Sequence, residues 1–229
     1  MEIVKAVITA MNEEWDLIVK RFGLKEVKKF QNITIYEWSR DVDGETEKIV
    51  LANSGIGKIQ SATATTYLLE NYEILKLINV WIAWNLGWDH DVKIWDVFLP
   101  NAFIQHDFYL PFEWEEYDYG KAPIFLEYAV WSNYDLKKFG LILSWVCLSG
   151  DTFVDDPKIV WELRDKHGAD IVEMEAFAVL SVAREYNILD KCVVIKALSD
   201  GGESKATDEC FNNLEFAMNN SIDVLELIL

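Results

Sequence analysis

Acidic side chains gather in this sequence where apolar runs end. Glu13 and Glu14 follow the run Val4 to Ala10, Asp151 follows Leu148-Ser149-Gly150, and Asp200 follows Ala197-Leu198-Ser199. A further group, Val172-Glu173-Met174-Glu175-Ala176, sets two carboxylates directly before an apolar stretch. If the apolar runs are strands of an open α/β sheet, these residues stand at their carboxyl ends, where such sheets bind their ligands. The chemistry on offer is that of carboxylates, proton transfer and hydrogen bonding to a polar ligand. A plainer account of Glu13 or Glu173, taken singly, is an acidic residue facing the positive end of a helix dipole. The segment Ser54-Gly55-Ile56-Gly57-Lys58 also follows an apolar run, but it lacks the GxxxxGK[ST] spacing of a phosphate-binding Walker loop.

The elements that would position these groups can be read from periodicity. Val4 to Ala10, Leu75 to Trp84, Gly140 to Leu148 and Lys191 to Leu198 are short, nearly all-apolar runs, as expected of strands buried on both faces. Asn32 to Trp38 and Lys48 to Asn53 read as strands joined through Asp43-Gly44. Helices are expected from Asn12 to a stop at Gly23, over Ile59 to Tyr72, over Pro157 to His167 with proline in the first turn, and over Glu175 to Tyr186. The last helix carries Phe211, Leu214, Met218, Ile222 and Leu225 as an apolar stripe. Between Asn85 and Trp131 periodicity is weak, with β-like pieces at Ile94 to Leu99 and Ile124 to Trp131. Strands alternating with helices imply an α/β fold, a mixed central sheet flanked by helices, and residues 1–229 read as a single domain.

Composition narrows the function. With 21 Lys+Arg against 39 Asp+Glu the net charge is −18, which argues against nucleic acid and against anionic membrane surfaces as partners. No apolar run reaches the ~18 residues of a spanning helix. The first residues do not read as a signal peptide, so a cytoplasmic address is expected. The 3 cysteines show no CxxC pair or metal-type spacing; neither a disulfide framework, a metal site nor a cofactor is expected.

Five segments in order resemble the successive motifs of the 5′-methylthioadenosine/S-adenosylhomocysteine nucleosidases of the purine nucleoside phosphorylase superfamily. They are Ala10-Met11-Asn12-Glu13-Glu14, Ser54 to Lys58, Ser149-Gly150-Asp151-Thr152-Phe153, Val172 to Ala176 and Ala197 to Asp200. The resemblance implies the single-domain nucleoside phosphorylase fold, a small-molecule nucleoside as ligand, and a homodimer. Carried over by motif, Asp200 is the general acid at N7 of the purine, with Ser199 holding its carboxyl, and Glu14 activates the attacking water. Glu175 binds the ribose hydroxyls, Met174 lies beside the sugar, Phe153 stacks on the base, and the Val154 backbone faces its edge. Glu173 is placed with the substrate-binding group. The chemistry fits, because a purine leaves only once its ring nitrogen is protonated, while the ribose becomes oxocarbenium-like. The block Tyr117-Asp118-Tyr119-Gly120-Lys121-Ala122-Pro123 resembles the segment with which a neighbouring subunit walls the 5′ pocket, and His106-Asp107 matches a His-Asp pair common in the family.

The departures bear on substrate. Where the family keeps a loop of glycine and serine, this chain reads Ile82-Ala83-Trp84-Asn85-Leu86-Gly87-Trp88, and Trp95 stands where the family has glycine before Asp96. Lys196 replaces a common arginine. Three readings stay open: a hydrolase for a nucleoside of different shape, a methylthioadenosine-type nucleosidase with a rearranged loop, or an inactive nucleoside-binding relative. A phosphorylase is disfavoured, because none of Arg21, Arg40, Arg164 and Arg184 lies in a motif that could clamp phosphate.

Overall fold

The first apolar run forms β1 (Glu2–Thr9), buried from Val4 onward. It lies between two parallel neighbours, β4 (Glu45–Asn53) and β5 (Tyr72–Asn85). A strand so placed has no solvent face, which is why the run is apolar without alternation. The computed structural model describes residues 1–30, 32–87, 92–111, 120, 122–128, 142–143, 146–200 and 206–229, with the backbone alone at 142, 143, 200 and 206–209. Trp88, Tyr117 to Tyr119, Lys121 and Gly140 lie outside these residues.

Helix α1 (Asn12–Phe22) follows β1 and ends at Gly23, which takes the left-handed φ of 66° and donates its N–H to the Val19 carbonyl at 2.8 Å. A hairpin then adds β2 (Lys25–Phe30) and β3 (Ile33–Val42) outside β4. Helix α2 (Lys58–Asn71) leads into β5. After β5 come β6 (Val97–Leu99), β7 (Ala102–Gln105), β8 (Ile124–Phe125), β9 (Ile142–Leu143) and β10 (Val146–Ser149). The chain closes with α3 (Pro157–His167), β11 (Ile171–Glu173), α4 (Ala176–Glu185), β12 (Cys192–Asp200) and α5 (Ala206–Ile228).

The strands form one mixed sheet that forks at the end of β5. Along most of its length β5 pairs in parallel with β12, but its last residues turn to β11, Trp84 opposite Val172 and Asn85 opposite Ile171. One branch continues through β11, β10, β7 and β8, the other through β12, β6 and β9. Trp84 sits in the crotch, for across a register shift it also pairs with Asp200 of β12. One face of the sheet is covered by α2 and α4 through Ala64, Leu68, Phe177 and Leu180. The other is covered by α1 and α5 through Ile18, Leu214, Met218 and Ile222. Among the described residues no helix is long and apolar enough to cross a membrane.

Three expectations need correction. Of the run Gly140 to Leu148, the described residues form two separate strands. Ile142–Leu143 pairs with β6, while Val146–Ser149 pairs with β7 and β11, so one apolar run serves both branches of the fork. Phe211, placed in the buried stripe of the last helix, is 59% exposed. The β-like piece at Ile94 to Leu99 is strand only from Val97, because Ile94 to Asp96 turn, with the Asp96 N–H bonded to the Lys93 carbonyl at 3.0 Å.

In that turn Trp95 holds φ at 80°, a conformation suited to glycine, while its ring tilts on Phe216 at 5.5 Å between centroids. Its backbone is bound at both ends, N–H to the Leu198 carbonyl at 2.8 Å and carbonyl from Asn220 Nδ2 at 2.9 Å. We therefore expect Trp95→Gly to be more stable than Trp95→Ala by about 1 kcal/mol in denaturant melts, since alanine loses the ring and keeps the strain. Equal midpoints for the two variants would show that the turn carries no strain.

Candidate active site

Glu14 owes its place to helix capping. At the third position of α1 its carboxylate bends back to accept the N–H of Met11 at 3.0 Å and of Ala10 at 3.4 Å, as an N3 glutamate does in a capping box. The other oxygen accepts the Ile82 N–H of β5 at 3.4 Å. The side chain has no exposed surface, and burial lifts its carboxyl to about 7 against the pull of these donors and of Lys196.

Glu175 stands at the N-terminus of α4, equally buried. Its Oε1 accepts the Gly57 N–H at 2.7 Å, so the glycine loop after β4 and the start of α4 meet on this carboxylate. Gly57 has φ of 97°, and a Cβ there would lie 3.2 Å from the Asp151 carboxylate, which explains glycine at this position. Burial first, and then Glu173 and Glu14, push the Glu175 carboxyl well above the usual carboxylate range.

Glu175 lines a cavity of about 220 Å³, walled also by Met11, Ile56, Trp84, Phe153 and Met174, with Phe211 of α5 at its side. Glu14 lies behind its wall, holding the N–H groups of the lining residues Met11 and Ile82. Trp84 is 4% exposed and meets Phe153 edge to face, centroids 4.6 Å apart. Asp200 ends β12 opposite Trp84 in the backbone register, at the same fork. The four arginines are occupied elsewhere: Arg21 with Asp223, Arg40 with Glu47, Arg184 with Glu185, and Arg164 with the carbonyls of Leu86 and Gly87. Arg164 thereby ties α3 to the tryptophan-bearing loop.

The other anticipated residues are placed less directly. Glu173 does not line the cavity. Its carboxylate is taken up by Lys196 at 2.7 Å, by the Ser149 hydroxyl, and by the N–H groups of Glu175 and Ala176 at 3.1 and 2.9 Å. Such a fully bonded group holds backbone. Val154 is buried beside Trp84 and Leu148 in a small core cluster, and Ser199, also buried, offers its carbonyl to Asn213 Nδ2 at 3.0 Å. His106 and Asp107 lie at a different place. Asp107 bonds Lys58 Nζ at 2.5 Å and the Asp151 N–H at 2.9 Å, beside a groove of about 640 Å³. Ile56 and Phe211 were not anticipated as walls. The available signal was an isoleucine set between two glycines, and it remains 53% exposed.

The sequence profile of the Phosphorylase superfamily matches residues 5–229. The chain belongs to that superfamily. Within it the chain belongs to the 5′-methylthioadenosine/S-adenosylhomocysteine nucleosidase family, being 30% identical over 222 residues to the Bacillus cereus strain B4264 protein of that name, with 90% of each chain covered. The Neisseria meningitidis nucleosidase, solved with methylthio-immucillin-A, superposes with a TM-score of 0.79 at 27% identity over 96% of this chain and 95% of that one. Helicobacter pylori futalosine hydrolase superposes with a TM-score of 0.81 at 22% identity, covering 98% and 96%, a likeness of fold. The Trp84 indole is a wall of the cavity.

Proposed function

We propose that the protein hydrolyses the N-glycosidic bond of a purine nucleoside, releasing free base and a ribose derivative. The observation that carries this is a cavity lined by Glu175 and by no arginine, with Glu14, also wholly buried, bonded to the N–H groups of its wall residues Met11 and Ile82. A carboxyl titrating near 7 is poised to take a proton from water at neutral pH. Water adds to the anomeric carbon as the carbon–nitrogen bond breaks; its proton passes to Glu14, and Asp200 protonates the departing base at N7. Glu175 hydrogen-bonds the ribose hydroxyls. Phe153 and Met174 supply the apolar walls for base and sugar. Free base should appear at the same rate with and without inorganic phosphate when purine nucleosides are incubated and followed by chromatography. Strict phosphate dependence would establish a phosphorylase, and a ligand-induced thermal shift without release a binding protein.

The Trp84 wall favours a substrate other than methylthioadenosine, or a slow turnover of it. A cavity of about 220 Å³ is small beside the roughly 300 Å³ at which drug-sized pockets begin. Trp84→Ala should raise methylthioadenosine kcat/KM roughly tenfold while costing about 3 kcal/mol of stability. Efficient methylthioadenosine turnover by the unaltered protein would refute the narrowing.

We further propose a homodimer and a cytoplasmic address. The groove of about 640 Å³ between α2 and α4 is walled by Ile59, Ala62, Phe108, Phe177 and Val182, and Ile59 is 77% exposed. Cys147, Cys192 and Cys210 are buried and form no disulfide, in keeping with a reducing compartment. Light scattering at micromolar concentration should give twice the chain mass; a monomer would remove the dimer.

A further inference from the structure

Two consecutive N–H groups at the start of α2 go to two different carboxylates. Gly57 donates to Glu175 Oε1 at 2.7 Å, and Lys58 donates to Asp151 Oδ1 at 2.9 Å. Asp151 belongs to the segment that leaves β10 and carries Phe153, and Phe153 walls the same cavity as Glu175. That segment is gripped a second time, from the end of β7. The His106 N–H donates to the Ser149 carbonyl at 3.1 Å, Asp107 Oδ2 accepts the Asp151 N–H at 2.9 Å, and a Cβ on Gly150 would lie 2.1 Å from His106 Nε2. The Lys58 ammonium closes the ring, its Nζ 2.5 Å from Asp107 Oδ1 and 3.6 Å from Asp151 Oδ2. Asp151 is thus held by its backbone from β7 and by its carboxylate from α2. The helix start that holds it also holds Glu175.

Stability does not account for this arrangement. The Lys58, Asp107 and Asp151 side chains are 14, 28 and 48% exposed, and ion pairs so open to water add little to stability. Their effect is on geometry. The strands β10 and β11 pair up to Ser149 and Glu173, with one further bond from the Gly150 N–H to the Glu173 carbonyl. Beyond that point the ring of contacts joins the Phe153 segment to the loop that holds Glu175. A nucleoside has to meet Phe153 with its base and Glu175 with its ribose at once, so an error in their spacing costs affinity even where each group is intact. We propose that Asp151, Lys58 and Asp107 are positioning residues, a clasp that sets the spacing of Phe153 and Glu175. The inference rests on the reading of Phe153 as the wall for the base and Glu175 as the partner of the ribose.

The test compares Asp151→Ala, Asp151→Asn and Lys58→Met with the unaltered protein by titration calorimetry. The probes are 9-deazaadenine and 9-deazaadenosine; in the latter, base and sugar are joined through carbon, so it binds without being hydrolysed. The free base engages the Phe153 side alone, the nucleoside both sides. Asp151→Ala and Lys58→Met should weaken the nucleoside about tenfold and leave the free base within about twofold. Asp151→Asn keeps an acceptor for the Lys58 N–H and should recover most of the loss. Should Asp151→Ala fail to fold, Lys58→Met carries the comparison, since it keeps every backbone bond of the segment. Folded variants in which base and nucleoside weaken alike, or in which neither weakens, overturn the clasp and leave these residues structural. An unaltered protein that binds neither probe overturns the purine-nucleoside reading itself. Because the affinities need no turnover, a selective loss of the nucleoside in a protein that releases base from no substrate would uphold the clasp and overturn the hydrolase reading.

Discussion

Asp200→Asn is expected to fold normally and to release free base roughly two or more orders of magnitude more slowly than the unaltered protein. Asparagine keeps the size of the side chain and removes the proton that it can give. The backbone at this position ends β12 against Trp84, and the pairing is made by main-chain atoms, so it survives the change. A purine anion is a poor leaving group, and without protonation most of the barrier to breaking the bond returns. Nucleosides whose base leaves easily without a proton should be hurt least. Chromatographic rates on a folded variant decide; a rate close to that of the unaltered protein would sink the assignment of Asp200 as the acid.

Glu14→Gln should lose about two to four orders of magnitude in kcat while flattening the pH dependence of stability. The sign follows from the raised carboxyl. Folding lifts Glu14 from 4.5 to about 7, so between those values the folded protein holds a proton that the unfolded chain has released. The resulting stability is fully present below 4.5 and is lost as pH rises to about 7, a change on the order of 3 kcal/mol. Glutamine cannot titrate and removes that slope. Denaturant melts of both proteins at about pH 5 and about pH 8 measure the difference, and parallel pH profiles would show that the carboxyl is not so perturbed.

Much of the site was legible because its carboxylates sit where apolar runs stop. Glu14 follows a nearly all-apolar run, broken only by Lys5 and Thr9, and Glu175 opens an apolar helix; both positions are fixed by local rules of strand burial and capping. What stayed hidden depends on pairing between distant segments. Nothing local to Gly140 to Leu148 says that one run is shared between two branches of a sheet. Ile171–Glu173 is too short to register as a strand, and only its neighbours β10 and β5 make it one. Trp84 could equally have faced core or cavity, because its seat is set by the fork. Phe211 fits a helical stripe, yet it lies beside the site opening and not beneath the sheet.

Lys25–Phe30 escaped notice for a different reason, and the reason has a use. This strand, Lys-Glu-Val-Lys-Lys-Phe, is the outermost of its side of the sheet and is exposed along nearly its whole length. Its charges broke the apolar pattern by which strands are recognised. They also guard a row of unpaired backbone groups that would otherwise accept a strand from another molecule. Lys28 is folded back over the ring of Tyr67 at 4.8 Å, leaving Lys25 and Lys29 along the rim. At this edge the charges disfavour growth of the sheet into a second molecule, whereas the helical face carries an apolar groove.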